Sequence, residues 1–227
     1  MSVVEVQFYS GGLDRTLSYT AFVPDVGTAP FPVLYQLHGR SDDHRAWLQR
    51  SNLVRYAADL PLLIVMPAAE NSFYLGGFER LMIDELPAHV ARTFHASDRA
   101  AIGGLSMGGY GAIRLGLKYP ERYRSIFAHS SRLPARAELA SLDWARGFDL
   151  DDLDVDSLAA RAKNLPDLAF DCGTEDHLLA DSRRFHARLE SLGLSHRYDE
   201  HPGGHTWDYW DRHVQTALAH HLRALSR

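Results

Sequence analysis

The chain has 227 residues, 45% of them hydrophobic and 23% charged, with a net charge of −5 at neutral pH, which is the make-up of one ordinary globular domain, residues 1–227, with a substantial core. The acidic balance and the lack of any Lys or Arg run give no footing for nucleic acid or an anionic membrane surface, and no apolar run approaches the length of a membrane span. A single cysteine, Cys172, excludes an intrachain disulfide, and MSVVEVQFYS has neither the basic start nor the apolar core of an export signal, so the expected location is cytoplasmic.

Val3 to Tyr9 alternates apolar and polar residues, and Leu17 to Val23 does so less cleanly, with Gly11-Gly12 between them; this predicts an antiparallel hairpin or meander at a sheet edge. After a turn-rich stretch, Phe31 to Leu37 is almost wholly apolar, as a strand buried on both faces should be. A polar loop, His38 to Asp43, precedes a predicted helix from Trp47 to Ala58 and a second apolar strand, Leu62 to Met66. Leu81, Met82, Leu86, Val90 and Phe94 mark a helical stripe over Phe78 to Phe94 that Pro87 should kink or restart. Ala100 to Ile102 leads a strand into Gly103-Gly104-Leu105-Ser106-Met107-Gly108-Gly109, and a helix follows from Tyr110. Ser125 to Ala128 predicts another strand, ending at His129-Ser130-Ser131. Residues 133–166 are polar and acidic, with short helical pieces such as Asp156 to Lys163, and read as a cap insertion within the domain. Leu168 to Cys172 (strand), Leu178 to Leu192 (helix), His196 to Glu200 (strand) and Thr206 to Leu225 (helix) close the chain. Strands alternating with helices of this length predict a mostly parallel α/β sheet with helices on both faces.

The chemistry gathers at Ser106. A serine on a sharp strand-to-helix turn has a strained backbone and leaves no room for side chains two positions away, which is why Gly104 and Gly108 flank it. Gly-x-Ser-x-Gly arises by chance in about one chain in ten of this length, so the strand before it and the helix after it give the motif its weight. Ligands of such sheets bind beyond the carboxyl ends of the strands. There the sequence supplies serine, then acid, then histidine, the order found in α/β-hydrolase sheets.

His205 is the expected base, because Gly203-Gly204-His205 is a flexible loop that can reach the turn, whereas its rival His201 ends a strand. A zinc pair His201/His205 needs a helix that Pro202-Gly203-Gly204 forbids. Asp176 at the tip of the loop after Cys172 is the preferred acid over Glu175 and over Asp171, which lies inside the strand. The remaining histidines, among them His89, His186, His213, His220 and His221, fall on helical stretches and are expected at the surface. The acidic run Asp149 to Asp156 lacks the glycine and glutamate of a calcium loop and reads as helix caps. No metal and no cofactor are expected. The backbone amides of Met107 and Arg40 are the expected oxyanion donors, with His38 and Gly39 as substrate contacts. Trp47, His129 and Trp207 read equally well as pocket wall or as core.

VLYQLHG (Val33 to Gly39), FERLMIDELPAHV (Phe78 to Val90), GLSMGGYGAIRLGLKYPERY (Gly104 to Tyr123), DCGTEDHLL (Asp171 to Leu179) and GGHTWDYW (Gly203 to Trp210) together resemble the single-domain esterases of the esterase D group in the α/β-hydrolase superfamily. That group includes small carboxylesterases, feruloyl and acetylxylan esterases, S-formylglutathione hydrolases and mycolyltransferases. The resemblance covers most of the chain and implies an α/β-hydrolase fold, Ser106, Asp176 and His205 as triad, and Arg40 and Met107 as oxyanion donors. It implies a serine carboxylesterase that cleaves small-molecule esters through an acyl-enzyme, and the shortness of the cap over residues 133–166 points to short acyl chains. A thioesterase or acyltransferase on the same triad is the alternative, and a catalytically idle binding fold a third. The segment His38 to Trp47 departs from the S-formylglutathione hydrolases, which carry a cysteine there, and the missing export signal argues against secreted mycolyl transfer.

Overall fold

The computed structural model describes residues 2–227. Eight strands form one sheet in the order β1-β2-β4-β3-β5-β6-β7-β8. The hairpin predicted at the edge is β1 (Ser2–Ser10) and β2 (Arg15–Val23), antiparallel to each other, and β2 is antiparallel to β4 (Leu63–Pro67). From there β4, β3 (Phe31–Leu37), β5 (Ala96–Leu105), β6 (Ser125–His129), β7 (Asp167–Gly173) and β8 (Arg197–His201) are all parallel. From β3 the chain crosses first to β4 on one side and later to β5 on the other. That reversal opens a crevice between the ends of β3 and β5, where open α/β sheets bind their ligands.

The apolar strands are buried on both faces because helices cover both. Val33, Tyr35, Leu63, Val65 and Ile102 face one core, while Leu34, Ile64 and Ala101 face the other. The predicted helix from Trp47 is instead two short ones, α1 (Ala46–Arg50) and α2 (Leu53–Tyr56). Asp211 explains the break: its carboxylate accepts the Asn52 amide N–H at 2.6 Å and the Asn52 side-chain amide at 2.9 Å, a tertiary capture that periodicity does not encode.

The stripe over Phe78 to Phe94 runs through α3 (Gly77–Arg80), a π-helical turn Leu81–Glu85 and α4 (Leu86–Phe94). Pro87 follows just after that π-helical turn, and Arg80, Leu81, Glu85 and Leu86 all keep right-handed helical backbone, so the helix runs on through the proline instead of restarting. Glu79 of α3 accepts from Arg114 at 2.5 Å and from the Tyr119 hydroxyl at 2.6 Å, and it pairs with Lys118 at 2.9 Å. This ties α3 to α5 (Met107–Lys118). Burial alone would raise the Glu79 carboxyl, but Arg114, Tyr119 and Lys118 outweigh it and hold it below the ordinary range.

Between β6 and β7, the 133–166 segment forms α6 (Arg136–Leu139), a 3-10 turn Asp143–Ala145, α7 (Leu150–Leu153) and α8 (Val155–Arg161). Asp149 and Asp154 cap α7 and α8, as expected of the acidic run. Two helices complete the fold, α9 (Leu179–Ser191) and α10 (Trp207–Leu225). His220 and His221 on α10 are buried rather than at the surface. α10 lies flat against the sheet, so His221 Nδ1 reaches Ser125 Oγ at 2.7 Å and His220 Nε2 donates to the Asp167 carbonyl at 2.9 Å. Full burial holds His221 well below the ordinary imidazole range. Among the described residues, no helix is long and apolar enough to cross a membrane.

Candidate active site

Ser106 sits between the end of β5 and the first turn of α5 with φ 52° and ψ −113°. A positive φ at a non-glycine residue costs about 1–3 kcal/mol and persists only where its surroundings enforce it. Here the Ser106 N–H donates to the His129 carbonyl at 2.9 Å, and its own carbonyl accepts from Tyr110 at 3.0 Å and Arg132 at 3.2 Å. The flanking glycines are sterically required. A Cβ at Gly104 would lie 2.6 Å from the Gly108 backbone, and one at Gly108 would lie 2.6 Å from the carbonyl oxygens of Leu37 and His38. The turn therefore packs directly on the end of β3, and Met107 enters α5 as one of the first-turn residues whose N–H has no acceptor within the helix.

The loops after β7 and β8 are tied to each other by their backbones. Thr174 N–H donates to the His201 carbonyl at 2.8 Å, and Glu175 N–H to the Gly203 carbonyl at 3.0 Å. This brings His205 Nδ1 to 2.8 Å from Asp176 Oδ2 while His205 Nε2 stands 3.0 Å from Ser106 Oγ. The Asp176 side chain is fully buried, and its Oδ1 accepts the Leu178 N–H at 2.8 Å. Burial pushes its carboxyl up, but the hydrogen bonds from His205 and Leu178 prevail and hold it below the ordinary range.

The rivals lie elsewhere. Asp171 accepts from His129 Nδ1 at 2.9 Å and from the Tyr209 hydroxyl at 3.1 Å, Glu175 accepts the hydroxyl of its neighbour Thr174, and His201 stacks on His213.

Two compartments flank Ser106. The larger, of 750 Å³, is lined by Arg40, Met107, Phe73, Arg132, Trp144 and His177 among others. The smaller, of 320 Å³, holds Gly39, His205, Trp207 and Trp210, and shares Arg40 and Ser106 with the first. Arg40 and Met107 thus meet at the same wall as the serine. His38, read from sequence as a substrate contact, and Trp47 and His129, read equally well as pocket wall or core, lie behind that wall. His38 is buried, donating from Nδ1 to the Gly39 carbonyl at 2.7 Å and accepting the Ala69 N–H on Nε2 at 3.0 Å; it pins the loop before Arg40, and burial lowers its pKa. Trp47 is core, its indole N–H donating to the Leu37 carbonyl at 2.9 Å and its ring meeting Trp207 edge to face. His129 is sealed against Asp171. Of all the residues read as substrate contact or pocket wall, only Gly39 and Trp207 line a compartment.

Phe73, Arg132, Trp144 and His177 were not singled out in the sequence. Phe73 and Trp144 come from distant segments and stack at 4.0 Å, a pairing with no local signal; His177 directly follows Asp176, and that adjacency was the one available clue. Among the described residues two groups offer clustered metal-ligand atoms, Asp171/His201/His213 and Asp176/His177/His205, so the pair His201/His205 is split between them.

The Esterase family model matches residues 10–221. An acetyl esterase of Caldicellulosiruptor saccharolyticus is 30% identical over 96% of this chain and 97% of its own. Among solved structures, an S-formylglutathione hydrolase of Staphylococcus aureus superposes with a TM-score of 0.86 at 24% identity, covering 97% of this chain and 98% of its own. One from Agrobacterium tumefaciens gives 0.87 at 23%, covering 98% and 95%. At that identity the two structures speak to the fold, which is the α/β-hydrolase fold. The chain therefore belongs to the Esterase family, enzymes that act on ester bonds.

Proposed function

We propose that Ser106, His205 and Asp176 are the catalytic triad of a carboxylesterase for small esters with short acyl groups. The observation that carries this is the unbroken chain Ser106 Oγ to His205 to Asp176, at 3.0 and 2.8 Å, opening on two compartments. His205 Nε2 takes the Ser106 proton as Oγ attacks the ester carbonyl, and buried Asp176 stabilises the imidazolium that forms. The Met107 and Arg40 amides hold the oxyanion, each worth about 10²–10³ in rate by analogy with other oxyanion donors. The alcohol leaves with the proton from His205; a water deprotonated by the same nitrogen then attacks the acyl-enzyme, and the acid departs.

Short acyl groups follow from the lining. Arg40, Arg132, Glu138, Asp143 and Asp181 all border the larger compartment, and a long alkyl chain laid against them would desolvate charges without pairing them. Glu138, Leu142, Asp143 and Trp144 come from the 133–166 segment, which we read as a cap over this side of the site.

Initial rates on p-nitrophenyl esters from acetate to palmitate test the reading. The expected result is a maximum at the shortest chains that disappears in Ser106→Ala. Rates that are flat with chain length and unchanged in the variant would overturn it.

A further inference from the structure

Beside Ser106, a third donor group that ester cleavage does not use, His177, meets Asp176 and His205. The His177 side chain is 71% exposed and lines the larger compartment. Its Nδ1 lies 3.5 Å from Asp176 Oδ1, and its ring meets that of His205 edge to face at 4.7 Å, with the planes 63° apart. One ligand atom from each of Asp176, His177 and His205 lies within 4.8 Å of the others. An ion bound at about 2.0–2.1 Å in tetrahedral geometry holds its ligands about 3.3 Å apart. Closing that gap needs movement of about 1.5 Å, which an exposed histidine supplies by turning about its own side-chain bonds.

The second cluster is poorer on two counts. Both Asp171 oxygens are held by His129 and Tyr209, which are not among its candidate ligands, whereas Asp176 Oδ2 is held by His205, itself one of the three. His201 and His213 stack at 4.3 Å with planes 10° apart, and lone pairs of parallel rings run side by side instead of converging on one ion.

We infer that Asp176, His177 and His205 form a site for a divalent transition ion of the Zn²⁺ type, and that filling it switches the esterase off. The inference rests on the role proposed above for His205. Imidazole with carboxylate suits Zn²⁺, Cu²⁺ or Ni²⁺ and disfavours Mg²⁺ and Ca²⁺, which seek oxygen alone. The inactivation is a change of tautomer. With its proton on Nδ1, neutral His205 has a lone pair on Nε2 to receive the proton of Ser106. An ion at Nδ1 occupies the lone pair there, and the ring proton passes through solvent to Nε2. Nε2–H then donates to Ser106 Oγ and cannot accept from it. His205 loses no proton overall, the Asp176 carboxylate offsets part of the ion's charge, and water completes the coordination.

The test uses the full chain without an affinity tag and Zn²⁺ as its chloride, followed by calorimetric titration and by hydrolysis of p-nitrophenyl acetate. Expected are one Zn²⁺ per chain, loss of hydrolysis in step with occupancy, recovery with EDTA, and both midpoints at least tenfold higher in His177→Gln. His201→Gln should leave both zinc midpoints where they are. Unchanged binding in His177→Gln, or binding lost in His201→Gln instead, overturns the site. Undiminished hydrolysis by zinc-saturated protein overturns the switch. Ser106→Ala keeps the two ideas apart: it should bind Zn²⁺ like the unsubstituted chain while hydrolysing nothing. Hydrolysis surviving in that variant would remove the catalytic reading, while calorimetry with His177→Gln would still decide the metal site.

Discussion

His205 and His129 each hold an aspartate through Nδ1, at 2.8 Å and 2.9 Å, and the two aspartates, Asp176 and Asp171, are five positions apart at the end of β7. Around His205 the other ring nitrogen faces Ser106 Oγ and an open compartment. Around His129 both side chains are sealed, Tyr209 completes the Asp171 shell, and Nε2 has no hydrogen-bond partner among the described residues. Under the role proposed for His205, the same pair of side chains serves chemistry in one place and cohesion in the other. Access decides, since a base needs a proton donor and a path for water, whereas a sealed pair only joins β6, β7 and α10.

The two pairs should fail differently. Ser106→Ala, which removes the proton donor before His205, should lower kcat on p-nitrophenyl acetate by about 10⁴–10⁶, because the members of such a triad act as a unit. Asp176→Asn should follow at about 10⁴ in kcat with the fold intact, since the amide supports the wrong imidazole tautomer. If Asp171→Asn instead gave that loss, the two pairs would have to exchange roles.

Asp171→Ala should act on stability, at about 3–5 kcal/mol by urea unfolding, because it strands a buried partner; the variant that still folds should keep kcat within an order of magnitude. The smallest effect is expected at a third carboxylate, which the same logic places among permanent cations. Glu79→Gln should cost about 1–3 kcal/mol at pH 7, leaving the nearly buried Arg114 without its ion partner. The Glu79 carboxyl is depressed in the fold, so its contribution is complete above the unfolded value and fades as pH falls through the folded one. The stability difference between the two proteins should accordingly narrow below about pH 4.

Much of this was legible in the chain itself. The succession of strands and helices along the chain and the turn at Ser106 with its two glycines rest on local rules: apolar runs for buried strands and steric exclusion at a tight turn. What went astray did so where a partner distant in sequence intervened. Asp211 cut the helix after Trp47, and α10 buried His220 and His221.

The sequence by itself determined the alternation of buried strands and helices and the glycine-flanked turn that carries Ser106, because both are written in residues a few positions apart. Only the tertiary structure decided which histidine meets which aspartate, that Trp144 closes on Phe73, and that His177 stands against His205. Those pairings depend on loops brought together by the sheet, and the distance between two strand ends is set by strand order and backbone hydrogen bonds rather than by any local pattern.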